Sequence, residues 1–437
     1  MNMKIRGTPQ QGLFGATLGF FIGFAAVALF GPTAAAIKQT LGLTPLQVGF
    51  LVAMPSLSGS LLRIPFAAWV DTAGGRRPFL VLLTTSIVGM IGLAVLITLY
   101  YPDHLTPAMT PLLFVLGALV GCGIATFSVG IAQVSYWFPK ARQGTALGTF
   151  AGIGNLAPGI FSFLLPLALV NFGMSGSYLI WLSLLVLGTL GYAVAGRNAP
   201  YFQAMAQGNT PEQAVEFGRQ HGQEMFPQGR LRDSLVKSAQ AWKTWMLVAI
   251  YFTTFGGFIA LTSWLPTYWR EFFGQQAVIA GTLTALYSIT ASVLRVFGGR
   301  IADKLGGEKT TILSLWVMLA GAILMTFSQI FWLSIFAVIV MAVGMGVGNA
   351  AVFKLVPQYV PQAVGGASGW VGGLGAFGGF TIPPILGAMV SVQGSAAYSA
   401  GFGLFVGFGI IALALAFVLK KAFRPMSVAV PAVGKPS

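Results

Sequence analysis

Residues 63–77 read RIPFAAWVDTAGGRR, and residues 295–309 read RVFGGRIADKLGGEK. Arg63, Asp71, Gly74 and Gly75 thus recur as Arg295, Asp303, Gly306 and Gly307, all displaced by 232 positions. A second repeat lies further along each copy. Gly144, Gly148, Gly152 and Gly154 return as Gly365, Gly369, Gly373 and Gly375, displaced by 221. Two matches at nearly the same displacement imply a chain built from two related halves.

The solvent those halves live in follows from composition. The 437 residues are 56% hydrophobic and only 8% charged, against about 25% charged in a soluble protein. Apolar runs long enough to cross a hydrocarbon core of about 30 Å recur along the chain. They predict helical spans at 13–37, 47–70, 79–101, 111–136, 144–170, 175–195, 243–268, 278–301, 310–328, 332–355, 365–390 and 397–421. The fold class is therefore an all-α membrane protein with twelve transmembrane helices in two pseudo-symmetric six-helix halves. The halves are expected at 1–195 and 243–421, joined by a cytoplasmic linker at 196–242 and followed by a tail at 422–437.

The net charge of +15 reflects topology rather than nucleic-acid binding, because the Lys and Arg sit in short loops. With the N-terminus inside, only Lys38 and Arg270 outside the helix cores depart from the cytoplasmic side, which puts both termini in the cytoplasm. The expected location is the cell (inner) membrane. The single cysteine, Cys122, excludes a disulfide framework and any Cys/His metal spacing. Neither a metal nor a cofactor is expected.

A charged side chain in a helix core costs about 2.5–3.5 kcal/mol on the insertion scale. Arg63 and Arg295 each precede the acid at their helix end by eight residues, or roughly 12 Å of helix, which places both near mid-membrane. All nine acidic residues fall in loops or at helix ends, leaving the arginines without an intramembrane counter-ion. A bound anion would supply one, and the planar guanidinium fork suits a carboxylate or an oxyanion. The competing reading has each arginine snorkelling or bonding backbone carbonyls.

The glycine rows allow close helix approach. Gly152 and Gly154, with Gly373 and Gly375, are also candidates to expose backbone to a substrate, as is the amide of Asn155. The loops at Asp71 and Gly74, and at Asp303 and Gly306, are candidate gating latches. His104 and His221 lie in loops, so Lys354 in the tenth helix is the remaining candidate for proton coupling.

The Asp-x2-Gly-Gly loops resemble the signature loop of the major facilitator superfamily, with Ala67 where the first copy usually has glycine and Gly299 retaining it in the second. Residues 151–156, AGIGNL, and 372–379, GGLGAFGG, are similar to the paired signature segments of the nitrate/nitrite porter family. This resemblance implies the major facilitator fold and two arginines clamping nitrate or nitrite between aromatic rings. It gives Phe127 and Phe255 the role of rings, Tyr251 that of a hydrogen-bonding partner, and Asn155 that of the signature asparagine.

The family includes nitrate/proton symporters and nitrate/nitrite exchangers. The missing intramembrane carboxylate favours antiport, while Lys354 keeps symport open; a carrier of another small organic anion is the further alternative. A membrane enzyme is disfavoured because the membrane region offers no acid–base pair. A complete pathway within one chain makes a monomer the expected unit.

Overall fold

The computed structural model describes residues 5–227 and 231–422. Of the tail expected at 422–437, only residue 422 lies among them. Eleven apolar helical stretches in the described residues can cross a membrane: Pro9–Ala28, Pro45–Ala73, Arg76–Tyr100, Pro107–Trp137, Arg142–Ala195, Trp242–Phe273, Ala277–Leu305, Gly307–Phe327, Phe331–Tyr359, Pro361–Ala400 and Gly403–Ala422. The 54 residues of Arg142–Ala195 would reach about 80 Å as one helix, far more than one crossing needs. The backbone breaks at Gly173, with φ 65° and ψ −175°. That stretch is therefore the fifth and sixth crossings, and the crossings among the described residues total twelve.

One expectation needs correction. The first span does not run unbroken to residue 37: helix ends in a 3-10 turn at Ala25–Ala28 and resumes at Ala34–Leu41. Pro32 has no N–H to donate and disfavours helical geometry at Gly31 before it. The stretch expected as the linker contains helices at Pro200–Ala206, Pro211–Gln220 and Leu231–Gln240. Thr210 caps the second of these in a reciprocal box with Gln213. Ser234 on the third accepts from the Gly366 N–H at 3.0 Å, tying the linker to the eleventh helix.

The first six helices meet the last six tightly at the end remote from the linker. Gly49 of the second helix lies on Pro383 and Pro384 of the eleventh, and Gly387 on Pro45. Gly281 of the eighth packs on Ser162 and Pro166 of the fifth crossing, and Gly31 against Ser263. A Cβ at these glycines would strike opposing backbone or proline, so small residues set the closeness of the seal. Lys38 and Glu271 cross the same seal as an ion pair at 2.7 Å. One of the two cations that broke the charge pattern, Lys38, thus has a local partner.

At the linker end the halves part around a cavity of about 1100 Å³. Asp71, Phe127, Phe353, Gly365, Gly369 and Gly372 are among the residues that line it.

Candidate substrate site

Arg63 stands where the second crossing is interrupted between Pro45–Leu61 and Arg63–Ala73. Pro65 cannot give an N–H to the Leu61 carbonyl, which loosens that turn. The arginine is fully buried. Its Nε donates to the Gly59 carbonyl at 3.1 Å and Nη1 to the Gly372 carbonyl at 3.0 Å, while Nη2 has no partner in the protein. Arg295, 8% exposed, donates from Nη2 to the Tyr251 hydroxyl at 3.2 Å and leaves Nη1 without a partner. Neither arginine has a carboxylate partner among the described residues. The carbonyl-bonding alternative therefore describes part of Arg63 and none of Arg295, and each retains one unspent donor.

Both guanidinium groups face the same two rings. Arg63 Cζ lies 4.9 Å from the Phe127 centroid and 5.3 Å from that of Phe255; Arg295 Cζ lies 5.5 Å and 5.0 Å from them. The rings are 6.1 Å apart and tilted by 30°. The cations therefore sit within about 10 Å of one another, held over aromatic faces. Tyr251 stacks on Phe255 at 4.9 Å. Asn155 is buried between the helices Lys140–Gly154 and Ala157–Ala195, and neither amide atom of its side chain has a protein partner. Six residues expected from the sequence, namely Arg63, Arg295, Phe127, Tyr251, Phe255 and Asn155, thus converge on one place.

The local backbone explains how they converge. Phe255 lies in a π turn, Phe252–Gly256, and Phe127 follows a 3-10 turn at Cys122–Ala125. Such departures from α geometry re-aim side chains and recur at functional positions.

The signature glycines are placed differently from expectation. Gly152 lies beneath Val296, Gly154 beneath Phe20, Gly373 beside Ile64 and Gly375 beneath Tyr251. They seat neighbouring side chains, and none of the four lines the cavity. In the second signature segment it is the Gly372 carbonyl that accepts from Arg63.

The signature loops also act within each half. Asp71 accepts from the Tyr136 hydroxyl at 2.6 Å, joining the second helix to the fourth; Asp303 pairs with Lys354 at 2.6 Å, joining the eighth to the tenth. Gly74 and Gly306, at φ 71° and 87°, take conformations that a Cβ would strain. Lys354 is therefore committed to the helix-end loop, with a second bond to the Ala302 carbonyl at 2.8 Å, instead of standing alone.

Three aromatic residues of the site escaped the sequence reading. Phe353 meets Tyr251 edge-on at 4.8 Å and Phe127 at 6.3 Å. Phe24 stacks on Phe255 at 6.3 Å, and Phe20 touches Phe127 at 5.2 Å. A signal existed for the last two, because a displacement of 231 carries Phe20 and Phe24 onto Tyr251 and Phe255.

Comparison with known proteins agrees with this geometry. The Major Facilitator Superfamily model matches residues 16–281 and 271–435. A probable nitrate/nitrite antiporter NarK1 of Thermus thermophilus is 32% identical over 405 residues, covering 87% of this chain and 85% of the relative. The chain belongs to the nitrate/nitrite porter family of the major facilitator superfamily. A probable nitrate transporter NarT of Staphylococcus epidermidis is 29% identical over 424 residues, covering 96% of this chain and 98% of its own. Among solved structures, the partially occluded inward open xylose transporter XylE from E. coli superposes with a TM-score of 0.71 at 14% identity, over 96% of this chain and 100% of its own. A bacterial homologue of the lysosomal transporter Spinster, inward-facing and unoccupied, gives 0.66 at 15% identity, over 96% and 98%. These structural likenesses concern the fold. Membership of the porter family makes the chain a multi-pass membrane transporter and not an enzyme.

Proposed function

We propose that this chain carries nitrate and nitrite across the cell membrane by alternating access, exchanging one for the other. The observation that carries the reading is the pair of buried arginines on one aromatic pair, each with an unspent guanidinium nitrogen. A flat oxyanion placed there would accept from both forks at its edges and meet rings at its faces. The names borne by the relatives support the same substrate class.

The linker end, rich in Lys and Arg, is cytoplasmic, and both termini lie on that side. The cavity is then the inward-open pathway. Residues 1–195 and 243–421 would rock about the site as two bodies, with 196–242 spanning them. One chain supplies both arginines and both rings, so a monomer is the transporting unit.

Exchange is preferred to proton symport because the relay candidates are absent from the site. Lys354 is bonded to Asp303, and both histidines lie outside the spans. Proteoliposomes loaded with nitrite should take up nitrate many times faster than empty ones at matched pH. Robust uptake into empty vesicles driven by a pH gradient would overturn exchange; failure to move either anion under any gradient would overturn the substrate reading.

A further inference from the structure

Behind the Phe255 ring, on the closed side of Arg295, lies a narrow void walled by Arg295, Ser292, Asn155 and Asn349. Asn349 is 2% exposed, and its Oδ1 has no partner in the protein. It sits one helical turn before Phe353, so the two share a face of the tenth helix. Phe353 borders the main cavity and touches both Phe127 and Tyr251. The face carrying Asn349 is therefore the face turned to the site, one turn deeper. Ser292 is already satisfied, donating to the Asn155 and Ser288 carbonyls at 2.7 Å. The groups left with unspent capacity around the void are Arg295 Nη1, both amide atoms of Asn155 and Asn349 Oδ1.

The internal repeat sharpens the choice of residue. Pro139 and Pro361, which follow the fourth and tenth helices, differ by 222 positions, and the same displacement carries Phe127 onto Asn349. The fifth and eleventh helices, at 221, carry Asn155 onto Ala376. Each half thus contributes one carboxamide, from non-equivalent helices, and both meet beside Arg295. A buried carboxamide without partners is costly, and a half-turn of its amide plane exchanges oxygen for nitrogen. That turn aims an N–H donor at an anion held by Arg295 without adding charge to a site that already has two cations.

We propose that Asn349 is a substrate ligand and a specificity-determining residue, donating with Asn155 to an oxygen of a small oxyanion on the deep side of Arg295. The proposal rests on the anion-transport reading above. Wild type, Asn349→Leu, Asn349→Asp and Asn349→Ser would be compared in proteoliposomes for nitrate and nitrite KM and Vmax, with thermal unfolding measured alongside.

Asn349→Leu keeps the size and loses the donor. It should raise nitrate KM about tenfold, the size of a lost hydrogen bond to a charged group, and change the nitrate-to-nitrite ratio of efficiencies. Asn349→Asp should impair anion binding further, and Asn349→Ser should stay within about threefold of wild type because it keeps a donor. Unchanged KM and ratio in Asn349→Leu and Asn349→Asp, with active wild type, would overturn the assignment. So would a loss confined to Vmax or thermal stability, which marks packing. A wild-type chain that carries neither anion overturns the parent reading and this inference with it.

Discussion

Replacing Arg295 by lysine tests the clamp most directly, because the charge stays while the fork is lost. In the structure Arg295 divides its work between the Tyr251 hydroxyl at 3.2 Å and an unspent Nη1. A lysine has one nitrogen at the end of its stem and must abandon one of the two geometries. The loss is one charge-assisted hydrogen bond, about 1.5–3 kcal/mol, or between about tenfold and about 150-fold in transport efficiency. Arg295→Gln removes the charge as well. At an effective dielectric of 20 and a separation of about 4 Å, that forfeits about 4 kcal/mol more and should leave no measurable nitrate uptake. Arg63→Lys should fall in the same range as Arg295→Lys, since Arg63 also keeps one free nitrogen beside two carbonyl bonds. The assay is initial nitrate uptake into nitrite-loaded proteoliposomes, normalised to folded protein. Wild-type efficiency in both lysine variants, or equal activity in Arg295→Lys and Arg295→Gln, would refute the clamp.

Three further outcomes follow from neighbouring contacts. Tyr251→Phe removes the acceptor for Arg295 Nη2 and should lower nitrate efficiency about fivefold to tenfold with little change in thermal stability, because one hydrogen bond is at stake. Gly375→Ala places a methyl against the Tyr251 ring; overpacking of about 1–3 kcal/mol should lower the unfolding temperature and raise nitrate KM together, measured by melting curves and uptake. Glu271→Gln breaks the ion pair with Lys38 across the closed end. A partly exposed pair is worth up to about 1 kcal/mol, so the outward-open population should rise up to about fivefold. Labelling of Ser56→Cys, buried in that seal, by an impermeant maleimide in a Cys122→Ser background reports it, and an unchanged rate would remove Glu271 from the gate.

The spans were legible because long apolar runs have few alternatives to a membrane helix. The arginine pair was legible for the opposite reason: a charge in such a run demands compensation. The repeat then gave both arginines the same depth. What composition hides is direction. Phe353, Phe20 and Phe24 are ordinary residues in a chain with 35 phenylalanines, and only packing shows that they surround Phe127 and Phe255. The π turn at Phe252–Gly256 and the interruption before Arg63 depend on hydrogen bonds that no periodicity encodes. The glycines were legible as packing residues but not as seats for Tyr251 and Phe20. The two cations that broke the charge pattern were noted, yet only the fold brings Lys38 to Glu271.

The proposed exchange draws its physical argument from what surrounds the cations. Two guanidinium groups within about 10 Å repel by about 2 kcal/mol at an effective dielectric of 20, and both are already buried. Reorientation must close the cavity beside them, which lowers the surrounding dielectric and raises both the repulsion and the cost of burying two charges. Phe127 and Phe255 offer quadrupoles to the arginines but no negative charge, and the carboxylates of Asp71 and Asp303 are bonded elsewhere at the helix ends. An anion between the forks cancels both penalties at once. On the proposed reading, the empty carrier meets its highest barrier at occlusion while the loaded one crosses easily, and returning with a second anion is the path that avoids the barrier.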